Sequence, residues 1–328
     1  RIPMKITAYE VRPDEKDYLL AAAQQEQIEI TLVQGPMTQD NIDRAEGADG
    51  ITILGDTKMD AALIEETAKR RIRVVATRTI GYDHIDLNAV KSNGVHVCNG
   101  YYDPDGVAEY TVMLILMSLR NYKQALFRGN ANDYSLGGLI GRELRNLTVG
   151  IIGTGKIGQA MIRIFHGFRM NVLAYDPYPN SNLDVQYVSL EELLSKADFL
   201  SLHCPLTPDT HHIINEKTIS IMKDGAYLVN TSRGGLIDTQ ALINGLLAKK
   251  FGGVGLDVYE EEEGLFYEDC SDEIIQDDNL ARLTTFPNVL ITSHMGFFTV
   301  EAMQSIAHET LENAYALENN LTLKNLVE

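Results

Sequence analysis

The chain has 328 residues and, with 46 acidic against 28 basic side chains, a formal net charge of −18 at pH 7. That length is large for one core and suits two domains, and the charge would repel nucleic acid and anionic lipid over most of the surface, which argues against a polynucleotide partner. The longest apolar stretch, Val112 to Met117, is far too short to span a bilayer, and Cys98, Cys204 and Cys270, few and widely spaced, fit a reducing compartment better than a disulfide framework. The opening residues lack the charged, apolar and small-residue order of a secretion signal. Met4 reads as a natural start, and a cytoplasmic location is expected.

In chain order, short β-type runs alternate with helical patterns: MKITAYE, IEITLV, GITILG, RVVATR and VHVCN, with helices expected near Asp14–Gln24, Gln39–Ala45, Ala61–Lys69 and Leu87–Ser92. Such alternation predicts a parallel sheet with helices on both faces. Next comes Asp105 to Tyr122, apolar on nearly every face if helical, and therefore expected to be buried in a core or against another subunit. A second set of strands starts at Thr148 and continues through VLAYD, ADFLSLH, AYLVNTS, GGVGLDVY and NVLITSH. A last helix, Val300 to Leu321, follows and is expected to return to the first domain. The expected fold is α/β, with two Rossmann-like, doubly wound parallel sheets.

TVGIIGTGKIGQAMIRIF, Thr148 to Phe165, is the most informative stretch. It reads as a strand, a glycine turn and a helix. Gly153 permits the tight turn, Gly155 removes a side chain where a pyrophosphate approaches the backbone, and Gly158 lets helix pack on strand. Asp176 ends the next strand 23 residues past Gly153, close to the roughly 20-residue offset of an acid that accepts from the adenosine ribose hydroxyls. Its charge would repel a 2′-phosphate, so the expected cofactor is NAD.

Ligands of such sheets lie beyond the carboxyl ends of the strands. There the chain places Arg233 after AYLVNTS, the run Glu260 to Glu263 after GVGLDVY, and His294 after VLITS. Each type has a dull explanation alone, as a surface arginine, a solvated acidic loop or a structural histidine; their joint position is what points to chemistry.

These motifs carry a resemblance over nearly the whole chain, from Met4 to about Leu321. GTGKIG, LHCPLTPDTHHIIN (Leu202 to Asn215), VNTSRGGLIDT (Val229 to Thr239), GVGLDVYEEE (Gly253 to Glu262) and PNVLITSHMGFFT (Pro287 to Thr299) resemble the D-2-hydroxyacid dehydrogenases. Within that family the chain is most similar to D-lactate dehydrogenases, including the vancomycin-resistance type, and to D-2-hydroxyisocaproate dehydrogenase.

The resemblance implies a discontinuous substrate domain, 4–103 with 299–328, an NAD-binding domain, 104–298, and a homodimer with the helix after Pro104 at its interface. It implies reduction of a 2-oxo acid, pyruvate by default, to the D-2-hydroxy acid by NADH. Arg233 would orient the substrate, His294 would donate the proton and Glu262 would be the partner of the histidine. An imidazole titrating at about 6.5 suits proton delivery near neutral pH, a neighbouring carboxylate favours the charged ring, and an arginine fork can grip a carboxylate and polarise a carbonyl. Backbone N–H groups of Thr79, Ile80 and Gly81 would hold the substrate carboxylate, and Tyr102 would close on it. On the cofactor side the resemblance assigns Thr154, Lys156 and Ile157 with the three glycines to the pyrophosphate. His203, Cys204, Pro205 and Thr210 would border the adenosine, and Asp257, Thr231 and Ser232, beside Arg233 and His294, the nicotinamide. No metal is expected.

Several positions depart from the family pattern: Asp103 before Pro104, Gly106, Gly235 after the SRG motif, Ser293 before His294, and Met295 and Gly296 after it. They put pocket shape in question, so a specificity of the D-2-hydroxyisocaproate or phenyllactate type stays open. From another class, an NAD-sensing corepressor of the same fold is the alternative.

Overall fold

The computed structural model describes residues 3–319 and 321–327, in two packed units: residues up to Asp103 together with those from Phe298 onward, and Pro104–Phe297. Phe298 packs with the former.

In the first unit, strands β1 (Lys5–Ala8), β2 (Glu29–Leu32), β3 (Gly50–Ile53), β4 (Val74–Thr77) and β5 (His96–Cys98) form a parallel sheet in the order β5-β4-β3-β1-β2. Strands β3 and β4 are buried along their whole length, as strands covered by helices on both faces must be. The two-residue strand Leu326–Val327 pairs antiparallel with β5, an addition too short to leave a signal in the sequence. Helix α1 (Lys16–Glu26) starts two residues later than expected; Glu15 precedes it without capping it, because its carboxylate binds Arg78.

Helices α2 (Ala61–Lys69) and α3 (Leu87–Ser92) start where Asp60 and Asp86 accept from the N–H groups of Leu63, at 2.8 Å, and Ala89, at 3.0 Å. Such caps satisfy donors that the helix itself leaves unpaired. The helix expected at Gln39–Ala45 is only a 3-10 turn, Ile42–Ala45. Asn41 Oδ1 accepts from the Thr38 N–H instead, a local bond that competes with helix. The closing helix, Val300–Glu318, packs on α1. The parts of the expected helix and domain that fall on Asn320 and Glu328 lie outside the described residues.

The second unit opens with α4 (Pro104–Leu119), begun by a proline, which suits the first helical position. It buries Val107, Ala108, Thr111, Val112, Leu114, Ile115 and Leu119 and leaves Met113 and Leu116 exposed. The helix does not run to Tyr122 as expected. Asn121 turns left-handed at φ 51°, and α5 (Tyr122–Asn130) follows with no buried residue.

Beyond them, β6 (Thr148–Ile152), β7 (Asn171–Tyr175), β8 (Gln186–Tyr187), β9 (Phe199–Leu202), β10 (Ala226–Asn230), β11 (Phe251–Leu256) and β12 (Val289–Ile291) make a parallel sheet ordered β12-β11-β10-β9-β6-β7-β8. The short edge strand β8 adds a seventh to the six expected. Tyr175, Ile152, Leu202, Asn230, Leu256 and Ile291 lie in one row across this sheet. The strands therefore end at a common level, and whatever follows them emerges side by side. Among the described residues no helix is long and apolar enough to cross a membrane.

Candidate active site

The glycine turn leaves β6 at Gly153, whose φ of 95° favours glycine and where a Cβ would press on the Cys204 backbone. At Gly158 a Cβ would collide with the Gly153 carbonyl oxygen, so helix α6 (Lys156–Gly167) lies hard against the turn. Gly155 is different: a Cβ there would meet nothing within 4 Å. It opens onto space at the N-terminal end of α6, where the dipole and backbone donors favour a phosphate.

Asp176, at the end of β7, accepts on Oδ2 from the Thr154 N–H at 2.9 Å and the Thr154 hydroxyl at 3.0 Å, and on Oδ1 from the Tyr178 N–H at 2.9 Å. It thus stands beside the turn with one acceptor site of Oδ1 still open to a hydroxyl. These features fit a dinucleotide. Lys156 is exposed and Ile157 half-buried at the first turn of α6.

Across the row, His203 follows β9 and binds the Ser201 hydroxyl through Nε2 at 2.6 Å; burial pushes its pKa down to about 3 and keeps the ring neutral. Cys204 is buried, its thiol pushed up to about 11 by burial, and its carbonyl accepts from the Ser232 hydroxyl at 2.7 Å. The Thr210 hydroxyl donates to the exposed Pro205 carbonyl at 2.6 Å and shapes that loop.

The Arg233 turn follows β10 and is held by Asn230, which is wholly buried. Its Oδ1 accepts from the Ser232 N–H at 3.0 Å and its Nδ2 donates to the Arg233 carbonyl at 2.8 Å. Thr231 is buried and shares a hydroxyl bond with Thr111 at 2.8 Å. After Arg233, a Cβ on Gly235 would press on Leu206, at 3.0 Å.

His294 follows β12 in a left-handed backbone conformation, φ 52°, rare for a residue with a side chain. Asp257, just past β11 and only 1 % exposed, holds it there. Its Oδ1 accepts from the Thr292 hydroxyl at 2.6 Å and the Met295 N–H at 2.9 Å, and its Oδ2 from the Gly296 N–H at 2.8 Å. Its carbonyl takes the His294 N–H at 2.6 Å.

The Nδ1 of His294 lies 2.9 Å from Glu262 Oε2, with both side chains about a quarter exposed, 30 % and 24 %. Of the neighbouring glutamates, Glu260 is engaged elsewhere, by His212 and Thr239. Tyr267 donates its hydroxyl to the His294 carbonyl at 2.6 Å, and Phe297 meets the imidazole edge-on, with ring centroids 6.4 Å apart. Asn230 and Tyr267 were not singled out in the sequence. A polar residue ending an apolar strand was the available signal for Asn230; for Tyr267 there was none, because its partner is a backbone carbonyl 27 residues away.

In the first unit, the loop Thr79–Ile80–Gly81 follows β4. The Thr79 hydroxyl donates to the Gly81 carbonyl at 2.6 Å, and Thr79 and Ile80 are tied to the next strand end by the Gly100 N–H and Asn99 Nδ2, at 2.8 Å each. Beneath it, Arg78 is fully buried and binds Glu15 through Nε at 3.1 Å and Nη2 at 2.9 Å, with further bonds to Thr52 and the Tyr9 and Glu10 carbonyls. Tyr102 is half-buried.

Residues 112–296 match the family model of the D-isomer specific 2-hydroxyacid dehydrogenase NAD-binding domain. The chain is 43% identical to the aromatic 2-oxoacid reductase of Clostridium sporogenes over 326 residues, 98% of each chain. It is 40% identical to the D-lactate dehydrogenase of Escherichia coli, over 98% of this chain and 99% of that one. A solved D-2-hydroxyisocaproate dehydrogenase superposes with a TM-score of 0.88 at 35% identity, covering 99% of both chains. With the glycine turn, Asp176 and the triplet of strand-end groups in place, the chain belongs to the D-isomer specific 2-hydroxyacid dehydrogenase family and is an NAD-dependent oxidoreductase of that kind.

Proposed function

We propose that the chain reduces pyruvate to D-lactate, with His294 as proton donor. The observation that carries this reading is the 2.9 Å pair of His294 Nδ1 and Glu262 Oε2, at the end of a strand level with the one that leads to Arg233. When bound, NADH supplies the hydride. The carbonyl oxygen then gathers negative charge, which must be met as it develops. With Nδ1 donating to Glu262, Nε2 is left as the nitrogen that carries the transferable proton. Arg233, permanently charged, grips the substrate carboxylate and polarises the carbonyl; in the first unit, the substrate-binding groups are the N–H groups of Thr79, Ile80 and Gly81, with Tyr102.

On the cofactor, Asp176 takes the ribose hydroxyls, Gly153, Thr154, Gly155, Lys156, Ile157 and Gly158 the pyrophosphate, His203, Cys204, Pro205 and Thr210 the adenosine side, and Thr231, Ser232 and the carbonyl edge of Asp257 the nicotinamide. Asp176→Ala is expected to weaken NADH and to narrow the preference over NADPH; an unchanged cofactor ratio would remove Asp176 from the ribose site.

A second reading, an aromatic 2-oxo acid such as phenylpyruvate, is favoured by Phe297 standing edge-on to the imidazole and by the aromatic 2-oxoacid reductase named among the relatives. The kcat/KM ratio across pyruvate, 2-oxobutyrate, 2-oxoisocaproate, phenylpyruvate and 2-oxoglutarate, read by NADH absorbance, decides between them. Pyruvate ranking below phenylpyruvate would reject the first.

The working form is a cytoplasmic homodimer. Met113 and Leu116 on α4, with Leu126, Phe127, Tyr134, Leu136 and Ile140 after it, are large apolar side chains left exposed, Ile140 at 92 %, and exposed apolar groups close together in the chain suit an interface with another copy. Sedimentation at micromolar concentration tests it; a monomer would refute it.

A further inference from the structure

We propose that His211, His212 and Glu260 form a binding site for a divalent transition-metal ion, with Zn2+ the best match. Among the described residues this is the one group of three histidine, cysteine or carboxylate side chains whose ligand atoms all lie within 4.8 Å of one another. None of its three side chains is assigned to substrate, cofactor or proton transfer. Glu260 Oε1 stands 2.5 Å from His212 Nε2 and 3.8 Å from His211 Nε2. Tetrahedral zinc, with bonds of about 2.0–2.1 Å, sets neighbouring ligand atoms about 3.3 Å apart, so the two separations bracket the required edge. One must open and the other close by less than about 1 Å.

The two rings stack with centroids 3.8 Å apart and planes 21° from parallel, so the His211 ring must turn to aim its lone pair at the ion. Its side chain is 54 % exposed and has room to do so, while His212 and Glu260, at 31 % and 25 %, are more enclosed.

One of the more enclosed ligands has an outer partner, as metal ligands commonly do: the Thr239 hydroxyl donates to Glu260 Oε2 at 3.2 Å, while Asp238 Oδ2, 4.0 Å from His212 Nδ1, is beyond hydrogen-bond reach. The His212 backbone is fixed by its N–H to the Gly235 carbonyl at 2.9 Å. Two imidazoles and one carboxylate suit zinc, nickel or copper; magnesium and calcium want oxygen. Imidazole and carboxylate ligands bind a metal in their deprotonated forms, so binding strengthens as pH rises.

Metal-stripped protein titrated with Zn2+ against a chromophoric chelator tests the site. One ion per chain is expected, held more tightly at pH 8 than at pH 6, with His211→Ala and Glu260→Gln each weakening it by at least about 10- to 100-fold, the loss that even outer partners can cause. His294→Ala, which dismantles the other imidazole–carboxylate pair, is expected to leave it unchanged. His211 is exposed, so its replacement does not threaten folding. No stoichiometric binding, binding undiminished in His211→Ala, or binding lost in His294→Ala would each overturn the proposal.

Discussion

The loop Thr79–Gly81 in the first unit and the turn of His294 in the second are both held from beneath by a buried carboxylate, yet the two supports differ in kind. Under the loop, Glu15 meets Arg78, charge against charge, with the guanidinium wholly out of water. Under the turn, Asp257 accepts from a hydroxyl and two backbone N–H groups. An ion pair out of water is expensive to break because its partner is left charged and unpaired. A carboxylate accepting from neutral donors instead fixes the path of a few backbone atoms, and here those atoms carry a histidine in a strained conformation. Damage to the first support should therefore appear in stability, and damage to the second in turnover.

The largest effect lies at the end of the second support. His294→Ala is expected to lower kcat for 2-oxo acid reduction by about 10²- to 10⁴-fold, the usual worth of general acid catalysis, with NADH affinity nearly intact in fluorescence titration. A matching loss of NADH affinity would make His294 a cofactor residue instead.

Glu15→Ala sharpens the contrast from the other side. It should cost about 3–5 kcal/mol of folding free energy, read from urea unfolding, and raise KM more than it lowers kcat, as expected of a loop that would act on ground and transition states alike. If kcat fell while stability held, the two supports would be the same in kind.

Asp257→Asn is the complementary break. The amide keeps the volume but turns a donor toward a donor; kcat is expected to fall by about 10- to 100-fold, the scale of a misplacement near 1 Å. A purely structural loss, with kcat per folded molecule unchanged, would contradict the positioning role.

The smallest effect belongs to Tyr267. Tyr267→Phe keeps the ring and removes one hydroxyl bond worth about 0.5–1.5 kcal/mol, so kcat should drop by no more than about tenfold. Tyr267→Ala should drop it further, and equal losses in the two variants would show that the hydroxyl alone matters.

What could be read from the chain divides along the distance over which each feature is specified. The alternation of strands and helices, the capped starts at Asp60 and Asp86 and the glycine turn are written in residues a few positions apart, where periodicity and backbone sterics act. The helix expected at Gln39–Ala45 failed for an equally local reason, the side-chain bond of Asn41. The choice of Glu262 from its neighbours rested on resemblance to a family, since four adjacent glutamates look alike.

The tertiary structure decided how these groups are held. Asn230 clamps the Arg233 turn, Asp257 clamps the His294 turn across 35 to 39 residues of sequence, and Glu260 meets His212 across 48. Such pairings exist only once parallel strands stand in register, because it is the common level of β10, β11 and β12 that brings their following loops together. The chain by itself determined which chemical groups leave the ends of the strands; folding determined which buried acceptor fixes each one, and that depends on contacts no local pattern contains.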